Sequence, residues 1–163
     1  MKKYLIYFCF TLIFANDFLP LNNSVKNYTQ IFFRWPQIEG ANIYELQIYD
    51  YQASEQIEIY TNSNSQIVED FLIWDNDYIW QICGYNESGD ILLDCHDEIF
   101  FSINALPGYY PNQINLLVLN SQENNITVLD FDSSNFSAAV DENGIPVWFV
   151  EKTLFPGTIN QRI

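Results

Sequence analysis

The chain has 163 residues, 17% of them aromatic and 17% charged, and a formal net charge of −15. Acidity on this scale repels phosphate backbones and anionic lipid, which excludes nucleic acid and membrane surfaces as partners. β-Branched and aromatic residues are plentiful, and no long stretch repeats apolar residues at i, i+3, i+4 and i+7, so the expected fold class is all-β.

The chain opens MKKYLIYFCFTLIFAND. Lys2 and Lys3 give a positive start, and the apolar run from Tyr4 to Ala15 is too short for a membrane span of about 20 residues. Residues 1–15 therefore read as an export signal, with the chain expected in a periplasmic or extracellular space. Ile13 is a poor residue two positions before a cut at Ala15, so export is better defined than the cleavage point. Cys9 lacks the small residues that precede a lipoprotein cysteine. The alternative is a buried N-terminal strand, because apolar runs without alternation also occur in sheet cores. Removing Lys2 and Lys3 takes the net charge from −15 to −17. Fewer than 150 residues then remain. That length suits one ordinary domain, or a small one of roughly 80 to 100 residues with the start of another; the strand pattern favours the second.

Residues 16–24 form an Asn-rich lead-in containing Pro20. Strands follow. TQIFFRWP is a run that Pro36 must end or push to an edge. NIYELQIYD alternates, placing Ile43, Glu45, Gln47 and Tyr49 on one face and Tyr44, Leu46 and Ile48 on the other. EQIEIYT puts Ile57 and Ile59 on one side, and SQIVED comes next. After the polar turn DND, YIWQICGY forms a strand, and the turn NESGD leads into a long returning strand, ILLDCHDEIFFSI. Strands at this spacing with turn chemistry between them predict an antiparallel sandwich.

Over residues 25–104 the pattern resembles the fibronectin type III family. FRWP followed by EGANIYELQI is similar to that family's second strand with its core tryptophan, here Trp35, and its third strand with its tyrosine, here Tyr44. Leu72, six residues before Tyr78, resembles the family's tyrosine corner, with Asp75, Asn76 and Asp77 where a Pro-Gly turn is common. YIWQICGYNESGD resembles the sixth strand and its hairpin to the seventh. A tyrosine at a strand start can bury its ring while its hydroxyl bonds local backbone, which suits Tyr78 to this place. Trp35, Tyr44, Leu72, Tyr78 and Trp80 are the expected core, joined by Leu46 and Ile82.

Cys83 and Cys95 are the candidate disulfide for an oxidising compartment. If Tyr78, Trp80 and Ile82 face inward, Cys83 faces out. Inward Ile99, Phe101 and Ile103 put Cys95 on the opposite parity, so direct pairing requires a bulge. The sequence leaves the bridge open.

NALPGYYPNQ has the Pro and Gly of a junction, giving a linker at 105–113. Beyond it, residues 114–163 read as three or four short strands of a second, incomplete β domain. Asp141 to Gly144 make a turn in which Gly144 can take positive φ, and Pro146 opens the strand carrying Trp148. The turn DENGIPVW and its setting at 111–162 resemble the start of the arylsulfotransferase family, exported β-propeller enzymes that move a sulfo group between phenolic compounds through a histidine. The resemblance implies a parent sulfotransferase, of which this chain is an N-terminal fragment carrying one copy of the repeat. Leu116, Val118, Val128, Leu129, Phe131, Ala139, Val147 and Trp148 form an apolar set that few strands cannot cover, so much of it is expected to be accessible and prone to association.

No complete catalytic set is visible. Sulfo transfer needs a nucleophilic imidazole and cationic groups around the sulfo oxygens. The single histidine, His96, lies in the first domain, so the family's catalytic positions do not carry over. His96 reads as a solvent-exposed or hydrogen-bonded strand residue. No serine lies in a GxSxG elbow, and carboxylate pairing across a cleft is not readable from sequence. The acidic pairs Asp75/Asp77 and Asp130/Asp132 do not make a calcium loop. Catalytic, cofactor and metal residues are thus expected to be absent, and the chain alone is expected to be no enzyme. Tyr49, Tyr51, Tyr60, Tyr85, Tyr109 and Tyr110 remain as exposed-aromatic candidates for packing at a domain boundary or stacking on sugars. The expected role is an exported accessory or docking module whose partner is the remainder of the parent polypeptide, a protein or a glycan. The alternative is a carbohydrate-binding or cell-surface adhesion protein with no enzyme attached.

Overall fold

The computed structural model describes residues 18–110, 126–131 and 136–151, and strands are the only regular elements among them. Residues 1–15, read as an export signal, lie outside the described residues, as do Leu116, Val118, Asp132 and the side chain of Phe131. The first eight strands are β1 (Ser24–Lys26), β2 (Ile31–Arg34), β3 (Ile43–Asp50), β4 (Glu55–Thr61), β5 (Ser65–Val68), β6 (Asn76–Tyr85), β7 (Leu92–Cys95) and β8 (Ile99–Ile103). A six-stranded sheet runs in the order β1-β8-β6-β3-β4, with β7 also on β6, and β2 pairs with β5 in a separate two-stranded sheet. The sheets are open, and no closed barrel or propeller forms among the described residues.

One apolar cluster joins the two sheets. Ile31, Phe33, Trp35 and Val68 come from the smaller sheet and its flank; Tyr44, Leu46, Ile48, Tyr78, Trp80 and Ile82 come from β3 and β6. In β3 and β6 the inward residues are opposite one another, Leu46 with Ile82 and Ile48 with Trp80. This is the period-2 alternation of each strand translated into packing. Trp35 meets Tyr44 with ring centroids 5.7 Å apart, and Phe33 meets Trp80 edge-on at 5.3 Å. At the start of β6 the amide of Ile73 donates to the Tyr78 hydroxyl at 2.8 Å, while Leu72 is buried beside it.

Three expectations need correction. First, the larger sheet is mixed, because β1 runs parallel to β8. Residues 18–24, read as a lead-in, belong to the fold: Leu19 exchanges two backbone hydrogen bonds of 2.9 Å with Arg34, and the chain then crosses to β8. A three-residue strand is too short for alternation to announce it. Second, the long returning strand is broken at residues 96–98. Trp80 is opposite Ile99 but Cys83 is opposite Cys95, so β6 advances three residues while the returning segment advances four. The extra residue is a bulge that reverses side-chain parity. Cys95 thereby turns to the outer face beside Cys83, and the two are bonded.

The third correction concerns the C-terminal sheet, ordered β11-β10-β9, where β9 is Thr127–Phe131, β10 is Phe136–Val140 and β11 is Pro146–Glu151. Val128 is 70% exposed, as expected, but Ala139 and Val147 are buried and every residue of β10 is buried. β10 is the central strand, and Phe136, Ala138 and Phe149 form a second core with Tyr110, edged by Trp74 and Leu106. Tyr110, read as linker, therefore belongs to this core, and Leu106, read likewise, packs against its edge. Gly144 has φ +78°, and the Asp141 carboxylate closes the turn by accepting the amides of Asn143 (2.9 Å) and Ile145 (2.8 Å).

Candidate functional site

The outer face of the six-stranded sheet carries the polar half of each alternating strand. Pairing across β4, β3, β6 and β8 arranges these side chains in rows. Tyr49 is opposite Gln56 and Ile79, and Ile79 is opposite Phe100. The next row has Glu58, Gln47 and Gln81, and the next Tyr60, Glu45 and Cys83. An aromatic and apolar row thus lies beside an amide and carboxylate row.

Glu45 organises one end. Its side chain is 4% exposed, yet it accepts hydrogen bonds from Gln47 Nε2 at 2.9 Å and from the Tyr85 hydroxyl. Burial pushes the carboxyl pKa up, but the bonds from Tyr85, Gln47 and Tyr60 outweigh it and hold the group below its ordinary value. The hydrogen bond to Glu45 in turn, with burial, pushes the Tyr85 phenol up to about 12. Folding therefore favours the neutral phenol: stability from this bond is complete below about pH 10 and is lost as pH rises toward the folded value. In a Glu45→Gln variant the Tyr85 phenol is expected to titrate at lower pH than in the parent chain, because the largest cause of its raised pKa is gone while burial remains. The readout is phenolate absorbance, taken as the difference from a Tyr85→Phe chain; an unchanged titration would remove Glu45 as the cause.

The other end is shaped by a turn. Asp50 is buried, and its Oδ1 accepts the amides of Gln52 (2.9 Å) and Ala53 (2.8 Å). Asn76 Nδ2 donates to Asp50 Oδ2 at 2.6 Å and to the Tyr78 hydroxyl at 3.1 Å. This network ties the β3–β4 turn to the start of β6, and Tyr51, 65% exposed, is held there by its amide on the Asp77 carbonyl at 3.0 Å. Tyr51, Ile79, Phe100, Asp77 and Ser102 line a cleft of about 380 Å³. A second cleft of about 290 Å³, lined by Gln47, Tyr49, Gln81 and Glu98, shares Ile79 with it. Asp50 carried no role in the sequence, and Asn76 only that of a turn residue; an Asp at a strand end before a turn is the signal that points to such a cap.

The six tyrosines separate into two groups. Tyr49, Tyr51, Tyr60 and Tyr85 belong to the outer face. Tyr109 and Tyr110 instead meet Phe136 with centroids 5.5 and 5.6 Å away, and the Tyr109 hydroxyl donates to Glu151 Oε1 at 2.6 Å. These two belong to the junction with the C-terminal sheet. There, Trp74 Nε1 donates to the Pro146 carbonyl at 2.8 Å, its ring lies 5.4 Å from Phe149, and the Thr29 and Phe149 amides donate to Val147 and Asn27 at 2.9 and 3.1 Å. Trp74 stands alone in a turn sequence, and nothing in its spacing marked it.

His96 sits in the irregular segment between β7 and β8, not in a strand. Its ring is partly buried edge-on to Phe18 at 4.8 Å, its amide donates to the Ile82 carbonyl at 3.0 Å, and its Nε2 has no protein partner. Among the described residues no group of three or more His, Cys, Asp or Glu side chains is placed to hold a metal ion. Asp130 accepts the Ser137 hydroxyl at 2.9 Å. A scan against protein-family models finds no match, and a search of curated proteins finds none either.

Proposed function

We propose that this chain is an exported, non-catalytic docking module: a fibronectin-type-III-like sandwich, residues 25–104 with the lead-in strand, that carries the start of an arylsulfotransferase-like propeller. The observation that carries the docking role is the junction, where β11 hydrogen-bonds to backbone at Asn27 and Thr29 while Trp74 grips Pro146 and Phe149. A spacer on a loose linker has no need of backbone bonds to its neighbour. The Tyr78 hydroxyl on Ile73, and Trp35 against Tyr44, support the fibronectin-like reading. The Cys83–Cys95 bond supports export, since disulfides persist in oxidising compartments. The DENGIPVW turn supports the propeller reading, with β9–β11 as the first antiparallel unit.

The test is a Trp74→Ala variant followed by hydrogen exchange. It is expected to lower the protection of β10 and β11 amides by about 2 kcal/mol while β3 and β6 stay protected. Equal protection in both chains would refute docking through Trp74. The unsubstituted chain, assayed for transfer from phenyl sulfate to a phenol, is expected to show no turnover, because the single histidine is packed on Phe18. Turnover that vanishes in His96→Ala would place chemistry in the sandwich and overturn the non-catalytic role.

A further inference from the structure

We infer that the outer face of the six-stranded sheet binds a neutral polysaccharide, with Tyr51, Ile79 and Phe100 as the platform for sugar rings and Gln47 and Gln81 as acceptors for sugar hydroxyls. None of these residues takes part in the junction with β9–β11, so the site stands or falls apart from the docking role.

The shape fits a chain of rings. The two clefts share Ile79 and together make a trough crossing the strands from β3 to β8. Neighbouring strands are about 4.8 Å apart, so the row spans about 10 Å before Tyr51 extends it, long enough for more than one sugar ring. Tyr51 and Phe100 are both exposed, and Tyr49 braces Tyr51 edge-on with centroids 6.3 Å apart. A pyranose presents C–H groups on its flat side, and an exposed ring held in place offers them an apolar surface.

The polar groups select the ligand class. Gln47 Nε2 donates to Glu45, and Gln81 Nε2 donates to the His96 carbonyl at 2.9 Å. Both amides are thereby fixed, with their carbonyl oxygens left as acceptors in the trough. Asp77 and Glu98 add carboxylates at its edges. A surface that offers acceptors needs a ligand rich in donors, which hydroxyls supply. Anionic glycans are repelled by a chain of net charge −15. A polycation would also be drawn to the carboxylates, but at the centre of the trough Ile79 is opposite Tyr49 on one side and Phe100 on the other, with the uncharged Gln47 and Gln81 paired in the next row, which rewards a ring rather than a charge.

Affinity electrophoresis of the full chain tests this, in native gels containing hydroxyethylcellulose, laminarin or galactomannan, with a polylysine mobility shift as the charge comparison. Retardation by at least one neutral polymer is expected, unchanged by added salt. Tyr51→Ala and Phe100→Ala should each weaken it about tenfold. Both side chains are exposed, so folding is retained and is checked by circular dichroism. Phe32→Ala, an exposed ring on the smaller sheet, should bind like the parent chain. Unchanged mobility in all three neutral gels would overturn the site. So would a shift with polylysine alone that salt abolishes, or retardation that both variants preserve.

Discussion

Replacing Trp80 with alanine is expected to lower the unfolding free energy by about 3 to 5 kcal/mol. Trp80 is 1% exposed and reaches from β6 to the smaller sheet, where Phe33 meets it edge-on at 5.3 Å; Phe18 packs at 6.1 Å. Truncation removes one of the two largest buried side chains linking the two sheets, the other being Trp35, and the surrounding β-strands cannot close the space without breaking ladder bonds. Against a total stability of about 5 to 15 kcal/mol for a domain, the loss leaves a marginal fold. A Trp80→Phe chain separates packing from polarity. Trp80 Nε1 is buried without a hydrogen-bond partner, so phenylalanine gives up some contact area but also removes an unsatisfied donor, and should cost well under half as much. Urea unfolding with an unchanged slope is the measurement. A loss below about 1 kcal/mol for Trp80→Ala would mean that the two sheets are not held together at this residue.

The alternation of β3 was enough to assign its faces, because both are in use: Leu46 and Ile48 in the core, Glu45, Gln47 and Tyr49 outside. β4 and β6 were legible for the same reason. β1 was not, since three residues cannot display a period, and its parallel pairing with β8 depends on Leu19 being anchored at Arg34. The candidate binding face was half legible. Tyr49 and Gln47 are neighbours by strand parity, but their rows with Ile79, Gln81 and Phe100 follow from register between distant strands, which no local pattern fixes. Trp74 shows the same limit from the other side: its partner Pro146 is 72 residues away, and the junction exists only once the fold has brought them together.

The Cys83–Cys95 bond is where register and covalent chemistry meet, and its removal gives the second large effect. A Cys83→Ala, Cys95→Ala double variant is expected to be about 3 kcal/mol less stable, because the bond closes a loop across 12 residues of separation and so restricts the unfolded chain. The local consequence is more specific. β7 is mostly exposed and pairs with β6 at three positions, so little apolar burial defines which of its faces points inward. The bond fixes that choice on the far side of the bulge. Without it, a one-residue slip of β7 costs few buried contacts, and β7 amides should lose exchange protection before those of β3 and the centre of β6. The denaturant slope should rise as well, since an uncrosslinked unfolded chain exposes more surface. Urea unfolding and hydrogen exchange on the oxidised chain and the double variant give both readouts. Unchanged β7 protection together with the expected global loss would show that pairing, rather than the covalent bond, holds the bulge in register.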